Sequence, residues 1–251
     1  MARRTKQEAE RTRDALLSAA CEVFLKRGVA RATLEEVAQT AGVTRGAVYW
    51  HFRDKLDLFL ALSDRARLPH EGLLTDLVVR LGADPSLEPL VELARTIEAA
   101  FVAMEGDVER RRMLTILLMR CEYVAEMEPA FDRQRRADAM LRAAMDHVFG
   151  VAAARGRLAP PWQPREAAMA CFLLVTGLVQ TWLRTPEKIR LTVQGKVLLR
   201  TFLASLGGLP EEAFPETQGL DQKSRLTPRG SRDGAAAARA LASANEAASM
   251  T

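Results

Sequence analysis

Apolar residues recur at three- and four-residue intervals along most of the first 206 positions, and no run alternates with a period of two over a useful length. That pattern predicts an all-α protein without a sheet. Leu16, Leu17, Ala20, Val23 and Phe24 share one face of a helix over 11–27, and Gly28 stands where it should stop. In the next stretch, "ATLEEVAQTAGVTRGAVYWHF", Thr33 and Glu36 have the spacing of a capping box, so a second helix starts at Thr33. Gly42 suits the left-handed conformation that ends a helix and turns the chain sharply. Thr44 can then cap a third helix, on which Val48 and Phe52 lie one turn apart and point toward the first.

Further helices are expected over 55–67, 87–104, 108–125, 129–155, 164–184 and 187–206, with glycine and proline falling in the breaks between them. The division that results is a three-helix helix-turn-helix domain with a basic N-terminal arm over 1–55, a larger helical domain over 56–206, and a tail over 207–251. The tail is rich in Ala, Ser, Gly and Pro and holds one aromatic residue. Such a segment buries too little apolar surface to offset the entropy of ordering, so it is expected to be disordered.

Composition narrows this picture modestly. Of 251 residues 48% are hydrophobic and 27% charged, as in a globular protein, and Lys plus Arg (36) exceed Asp plus Glu (32), a mild sign of a polyanionic partner. Cys21, Cys121 and Cys171 are odd in number and far apart within apolar patterns, which argues against a disulfide framework or a metal knuckle. The start, "MARRTKQEAERTRDALL", is charged where a signal peptide would be apolar, and the longest apolar stretch, roughly 167–179, reads as too short to cross a bilayer. A cytoplasmic protein without a membrane partner is expected.

With Val48 and Phe52 turned inward, the opposite face of the third helix carries Thr44, Arg45, Ala47, Tyr49, Trp50 and His51. Two short helices across a tight turn form a helix-turn-helix, whose second member can enter a major groove. Each residue type has work there. Arginine bonds base edges such as those of guanine, an indole edge meets a thymine methyl, and hydroxyl or imidazole groups suit phosphate. Gly46 and Ala47 let the helix axis approach the groove, Lys55 can add a phosphate contact, and Arg3, Arg4, Lys6, Arg11 and Arg13 form a flexible arm able to follow the backbone. The pattern alone also fits a plain helical protein whose aromatic cluster is core. His51 by itself could be a buried polar residue or a metal ligand, although neither His70 nor His147 stands at a metal-site spacing.

Residues 11–55, centred on "TLEEVAQTAGVTRGAVYWHFRDK", resemble the DNA-binding domain of the TetR family of one-component bacterial regulators. The resemblance implies that Tyr49, His51 and Lys55 clamp phosphates of a double-stranded operator, that Arg45, Gly46 and Trp50 meet bases, and that Thr33, Thr44 and Ala47 complete the contact set. It extends into "RRRMLTILLMRCE", "ARGRLAP" and "REAAMACFLLVTGLVQTWL", which look like the AcrR-like branch, repressors of multidrug efflux pumps. There it implies a hydrophobic effector pocket lined by His70, Thr96, Ile97, Leu114, Leu118, Leu141, Met145, Phe172, Val175 and Thr176, residues that could equally be ordinary core. Branch members often place a carboxylate or polar amide in that pocket, whereas Leu114, Leu118 and Thr176 stand at such positions here. Neutral, greasy effectors are therefore expected.

The helix over 187–206 carries Leu191, Leu198, Phe202 and Leu206 as a stripe with Gly195 in its gap, which together with 164–184 suggests a four-helix homodimer interface like that of the family. The reading that emerges is a ligand-responsive transcriptional repressor of multidrug efflux pump genes, a homodimer released from an inverted-repeat operator by a hydrophobic small molecule. Rival readings are a regulator of lipid or catabolic genes and a DNA-binding protein without sequence preference. No nucleophile elbow, phosphate loop, paired-carboxylate motif or metal spacing is present, so no catalysis, cofactor or metal is expected.

Overall fold

A computed structural model describes residues 2–65, 72–121 and 125–207. Ten α-helices are found among these residues: α1 (Ala2–Arg27), α2 (Leu34–Ala41), α3 (Arg45–His51), α4 (Lys55–Arg65), α5 (Leu73–Ala83), α6 (Pro89–Gly106), α7 (Val108–Thr115), α8 (Glu128–Ala154), α9 (Pro164–Arg184) and α10 (Lys196–Ser205). Two π-helical turns adjoin them: Ile116–Arg120 continues α7, and Leu191–Gly195 leads into α10. The described residues contain no strand.

Helices α1 to α4 wrap one apolar cluster. Leu16, Leu17, Ala20, Val23 and Phe24 of α1 face Val37 and Ala38 of α2, Val48 of α3, Phe52, and Leu58, Phe59 and Leu62 of α4. Phe24 and Phe59 meet with ring centroids 6.2 Å apart and planes tilted by 55°, a favourable offset for two quadrupoles. The same cluster continues into Met113, Ile116, Met127, Ala130 and Phe131. Helices α1 to α4 are thus seated on α7 and α8 through shared core rather than a linker.

Polar contacts follow the same seam. The Val29 N–H donates to the Arg120 carbonyl at 2.9 Å, joining the loop after α1 to the end of the π turn. Arg65 of α4 reaches Asp14 of α1 at 3.8 Å and Glu109 of α7 at 3.6 Å, and Arg133 of α8 pairs with Asp64 of α4. Partly exposed pairs of this kind contribute little stability singly, but they fix which faces meet.

Farther along, α5, α6, α8, α9 and α10 form a second helical layer. Glu92, buried on α6, is held by Arg80 at 2.8 Å and Arg95 at 2.6 Å, and its carboxyl lies below the ordinary range because those two guanidinium bonds outweigh the opposing effect of burial. Glu105 receives the free N–H of Leu191 at 2.6 Å and pairs with the Thr192 hydroxyl, so an α6 carboxylate caps the turn that opens α10. Arg200 and Glu98 form a two-point pair, Nε at 2.5 Å and Nη2 at 3.0 Å.

The structure alters several expectations. Helix α5 fills part of the interval between 67 and 87 that the periodicity left without an element; its eleven residues make too few turns to stand out beside Gly82 and Pro85. Helix α1 begins at Ala2, so Lys6, Arg11 and Arg13 stand on a helix and not on a flexible arm. The stripe assigned to the last helix is split: Leu191 and Leu206 are fully buried inside the chain, while Leu198 is exposed. Gly195 belongs to the inner side, since a Cβ there would lie 3.2 Å from the Phe101 ring of α6. Exposed apolar side chains in this part of the chain include Met169 and Leu173 on α9, Val193 on the π turn and Leu198 on α10, beside Val79, Val102, Val108 and Met140 elsewhere. Finally, α9 has 21 residues and is long and apolar enough, by length and composition, to cross a membrane, contrary to the shorter stretch read from the sequence. It is packed on α8 and buries Ala167, Ala168, Cys171, Leu178, Trp182 and Leu183. Burial pushes the Cys171 thiol up to about 12, which leaves it an inert core group. The expected tail over 207–251 lies, from residue 208 on, outside the described residues.

Phe24→Ala should remove a fully buried ring from the centre of the first cluster. We expect a loss of about 3–5 kcal/mol in urea unfolding, with a cavity where Phe24 met Phe59.

Candidate nucleic-acid interface

The interface is assembled from two helix starts and the turn between them. At α2, the Thr33 Oγ1 accepts from the Glu36 N–H at 3.2 Å, while the Glu36 carboxylate accepts from the Thr33 N–H at 3.0 Å and from its hydroxyl at 3.2 Å. The Thr33 backbone bond, more than nearby Arg27, holds the Glu36 carboxyl below its usual range. At the other end Gly42 adopts φ 67°, ψ 29°; its N–H donates to the Gln39 carbonyl at 3.1 Å and the Val43 N–H to that of Ala38 at 3.0 Å. Only glycine takes this left-handed turn without Cβ strain, and the turn sets the angle between α2 and α3. Thr44 then caps α3 by accepting from the Ala47 N–H at 3.3 Å.

Helix α3 is two-sided. Val48, and Phe52 just beyond its end, are buried against α1, with the Arg13 guanidinium 5.3 Å from the centre of the Phe52 ring. Opposite them, Trp50 is 72% exposed and Tyr49 47% exposed, and Thr44, Arg45 and Gly46 also face outward, with Ala47 half-buried. Exposed large rings cost hydration free energy, so a surface that keeps them outward is fitted to something that covers them. His51, half-buried, packs edge-on against Trp50 with centroids 4.5 Å apart. Burial, and then the charge of Arg13, hold its imidazole below the usual histidine range, so near pH 7 the ring is a neutral donor or acceptor.

Two of the expected contact residues point elsewhere. Lys55, with only 13% of its side chain exposed, donates to the Ala30 carbonyl at 2.9 Å and lies 3.7 Å from Glu126. In this conformation its ammonium ties α4 to the loop before α2. Thr33 directs its hydroxyl and its N–H into the capping box. One residue absent from the sequence reading joins the surface: Glu35 of α2 sits 3.6 Å from Arg45, a contact across the turn that no local spacing announces. The neighbouring concavity, about 510 Å³, is lined by Thr33, Tyr49, the cations Arg45, Arg53 and Lys55 and the carboxylates Glu35, Asp54 and Glu126 among others, so its charges balance.

The residues expected around an effector fare differently. Thr96 and Ile97 of α6, Leu114 of α7 and Met145 of α8 are buried in the body of the helical layer, with Leu141 of α8 and Phe172, Val175 and Thr176 of α9 half-buried. The Thr96 hydroxyl is engaged with the Glu92 carbonyl at 2.8 Å, and the Arg142 guanidinium lies 5.6 Å from the centre of the Phe172 ring. Leu118 stands on the π turn with its side chain partly in solvent, and His70 lies outside the described residues. An opening of about 680 Å³ between α1, α4 and α8 is lined by Arg13, Asp57, Asp64, Arg65 and Arg133 among others and by none of these ten. Among the described residues no His, Cys, Asp and Glu grouping suits a metal ion.

Comparison with known proteins places this geometry. Residues 16–62 match "Bacterial regulatory proteins, tetR family", and residues 88–207 match "MAATS-type transcriptional repressor, C-terminal region". The chain is 39% identical to the HTH-type transcriptional repressor BepR of Brucella suis biovar 1 (strain 1330), over 81% of its own length and 96% of that protein's. Among solved structures, NalD, the secondary repressor of the MexAB-OprM multidrug efflux pump in Pseudomonas aeruginosa, matches with a TM-score of 0.68 at 37% identity, over 80% of this chain and 98% of that one. SmeT, the repressor of the Stenotrophomonas maltophilia multidrug efflux pump SmeDEF, in complex with triclosan, matches with a TM-score of 0.66 at 28% identity, over 81% and 94%.

Thr33→Ala should lower stability by about 1 kcal/mol at neutral pH in urea unfolding, because the Glu36 N–H loses its side-chain acceptor and the Glu36 carboxylate loses the Thr33 hydroxyl. Glu36 has a depressed carboxyl, so its contribution is present above the unfolded-state value and lost as pH falls. The part of the difference that comes from the Thr33 hydroxyl contact with this carboxylate should accordingly shrink below about pH 4, while the part from the backbone N–H bond, which alanine keeps, is common to both proteins.

Proposed function

The chain belongs to the TetR family of bacterial transcriptional repressors, and from that premise we propose that it is a ligand-responsive repressor of multidrug efflux pump genes, working in the cytoplasm as a homodimer on an inverted-repeat operator. One observation carries the DNA-binding part: α3 buries Val48 and Phe52 while presenting Arg45, Tyr49, Trp50 and His51 on the other side of a capped helix-turn-helix. Arg45 meets base edges, Trp50 adds apolar contact in the groove, and Tyr49, His51 and Thr44 contact phosphate. Lys55 reaches the backbone only by exchanging its hold on Ala30 and Glu126 for a phosphate.

The exposed apolar positions of α9, the π turn and α10, namely Met169 and Leu173, Val193, and Leu198, supply the contact with a second copy. A two-fold dimer through this face presents two copies of α3 to successive major grooves. The efflux target rests on the relatives, BepR-like in sequence and NalD-like in structure. The effector we propose is neutral and hydrophobic: Ile97, Leu114, Met145 and Phe172 offer apolar area between α6, α7, α8 and α9, with the nearby Thr96 hydroxyl already engaged. SmeT in complex with triclosan is a relative of similar fold holding such a molecule. Ligand weakens DNA binding only by its preference for one arrangement over the other, typically about 1–3 kcal/mol, and α4 and the π turn of α7 link the two layers.

Selection from randomised duplexes followed by footprinting tests this. The full-length protein should enrich an inverted repeat with half-sites about one or two helical turns apart. Arg45→Ala should cost about 1–3 kcal/mol on the enriched duplex and relax preference at one base pair in each half-site. Neutral phenols should release the complex at concentrations where a dicationic dye does not. Equal loss on enriched and scrambled duplexes would move Arg45 to the phosphates.

A further inference from the structure

The guanidinium of Arg45 is held from two sides. Its Nη2 donates to the Tyr49 hydroxyl at 3.3 Å, and its central carbon lies 5.5 Å from the middle of the Tyr49 ring, one helical turn on. From α2, the Glu35 carboxylate approaches Nη1 at 3.6 Å. All three groups are on the surface: the Glu35 side chain is 60% exposed and that of Arg45 64%. An arginine offers five N–H donors in a rigid fork, and only the Tyr49 contact uses one, so the remaining edge is free to meet a base while the plane is held.

From this arrangement we infer that Glu35 is a specificity-determining residue: it positions Arg45 for base edges and keeps that arginine from serving as a general phosphate contact. The inference rests on the reading of α3 as the base-reading helix. Its physical basis is that a guanidinium left free follows the nearest phosphate, and phosphates line every sequence alike. Glu35 opposes this, because its pull on Nη1 resists the rotation that would carry the fork toward the backbone. A bidentate base contact tolerates that pull because the fork is already planar and oriented, whereas a phosphate contact must break it. The reading head thus carries an acidic group at a DNA-facing edge, where mere affinity would favour none.

Glu35 also stands in the first turn of α2, where a carboxylate meets the favourable end of the helix dipole. That effect acts on folding and is indifferent to DNA sequence. The test therefore reads specificity and salt dependence, not affinity alone.

The experiment compares full-length wild type, Glu35→Gln, Arg45→Ala and the double variant on a duplex enriched by the wild type and on its scrambled counterpart, across a salt series. Glu35→Gln should bind the scrambled duplex several-fold tighter, with a log–log salt slope steeper by roughly one phosphate contact, about 0.9. On the enriched duplex its affinity should change far less, so the ratio of the two should fall about two- to fivefold, in keeping with the small worth of a single exposed ion pair. In the Arg45→Ala background the same substitution should leave that ratio unchanged. Equal gains on both duplexes would make Glu35 a plain surface charge and overturn the inference, as would no change on either. A shift that persists without Arg45 would overturn it too. A wild type that enriches no duplex would instead overturn the DNA-reading function itself, and this inference with it.

Discussion

Val48 and Phe52 have almost no surface in solvent, and the orientation of the whole reading face depends on where those two side chains are anchored. Helix α3 has seven residues, too few to hold itself together by backbone bonds alone. What keeps it formed is burial of one side against α1, a side-chain cap at Thr44 and a glycine turn at Gly42. Once that inner side is docked, the 100° step of the helix leaves Arg45, Tyr49 and Trp50 no inward position. The exposure of two large rings follows from this packing and is available for a partner that covers them.

The same anchoring joins the helix-turn-helix to the second helical layer, the route that the proposed ligand response requires. The cluster that seats α3 runs without interruption through Phe24, Phe59 and Leu62 into Met113, Ile116 and Phe131. A core packed to this degree has discrete arrangements rather than a continuous range, so a shift of α7 or α8 is felt at α1 and α4 as a change of seat. The Val29 to Arg120 backbone bond makes the link direct, because it joins the π turn of α7 to the loop from which α2 departs. Lys55 reinforces it through Ala30 and Glu126. In the chemistry of this seam, the residues expected to grip DNA and those that hold the two layers together overlap at one lysine.

Much of the helix-turn-helix was legible from local spacing. The Thr33 and Glu36 box, the Gly42 stop and the Thr44 cap each depend on residues within four positions of one another, and each is found with the expected partner. Features that bring distant segments together were not legible. Glu35 and Arg45 are ten residues apart and face each other only because Gly42 folds α2 back toward α3. Lys55 looked like a free cation until its fold brought Ala30 and Glu126 to it. Helix α5 is not legible because its eleven residues beside Gly82 and Pro85 carry little periodic signal, and the N-terminal basic run is helical because a polar run can extend a helix that is already nucleated by its neighbour.

By itself, then, the order of residues determined that this chain is helical, where its second and third helices start, and which side of α3 is apolar, since all of these are set by contacts one turn long. Tertiary structure decided which exposed groups are free and which are engaged: Arg45 clasped by Tyr49 and Glu35, Thr33 and Lys55 directed inward, Leu191 and Gly195 facing α6, Leu198 facing out. The physical reason is that a helix period assigns residues to a face, while the choice between core, partner and ligand for that face depends on which other helix comes to lie against it.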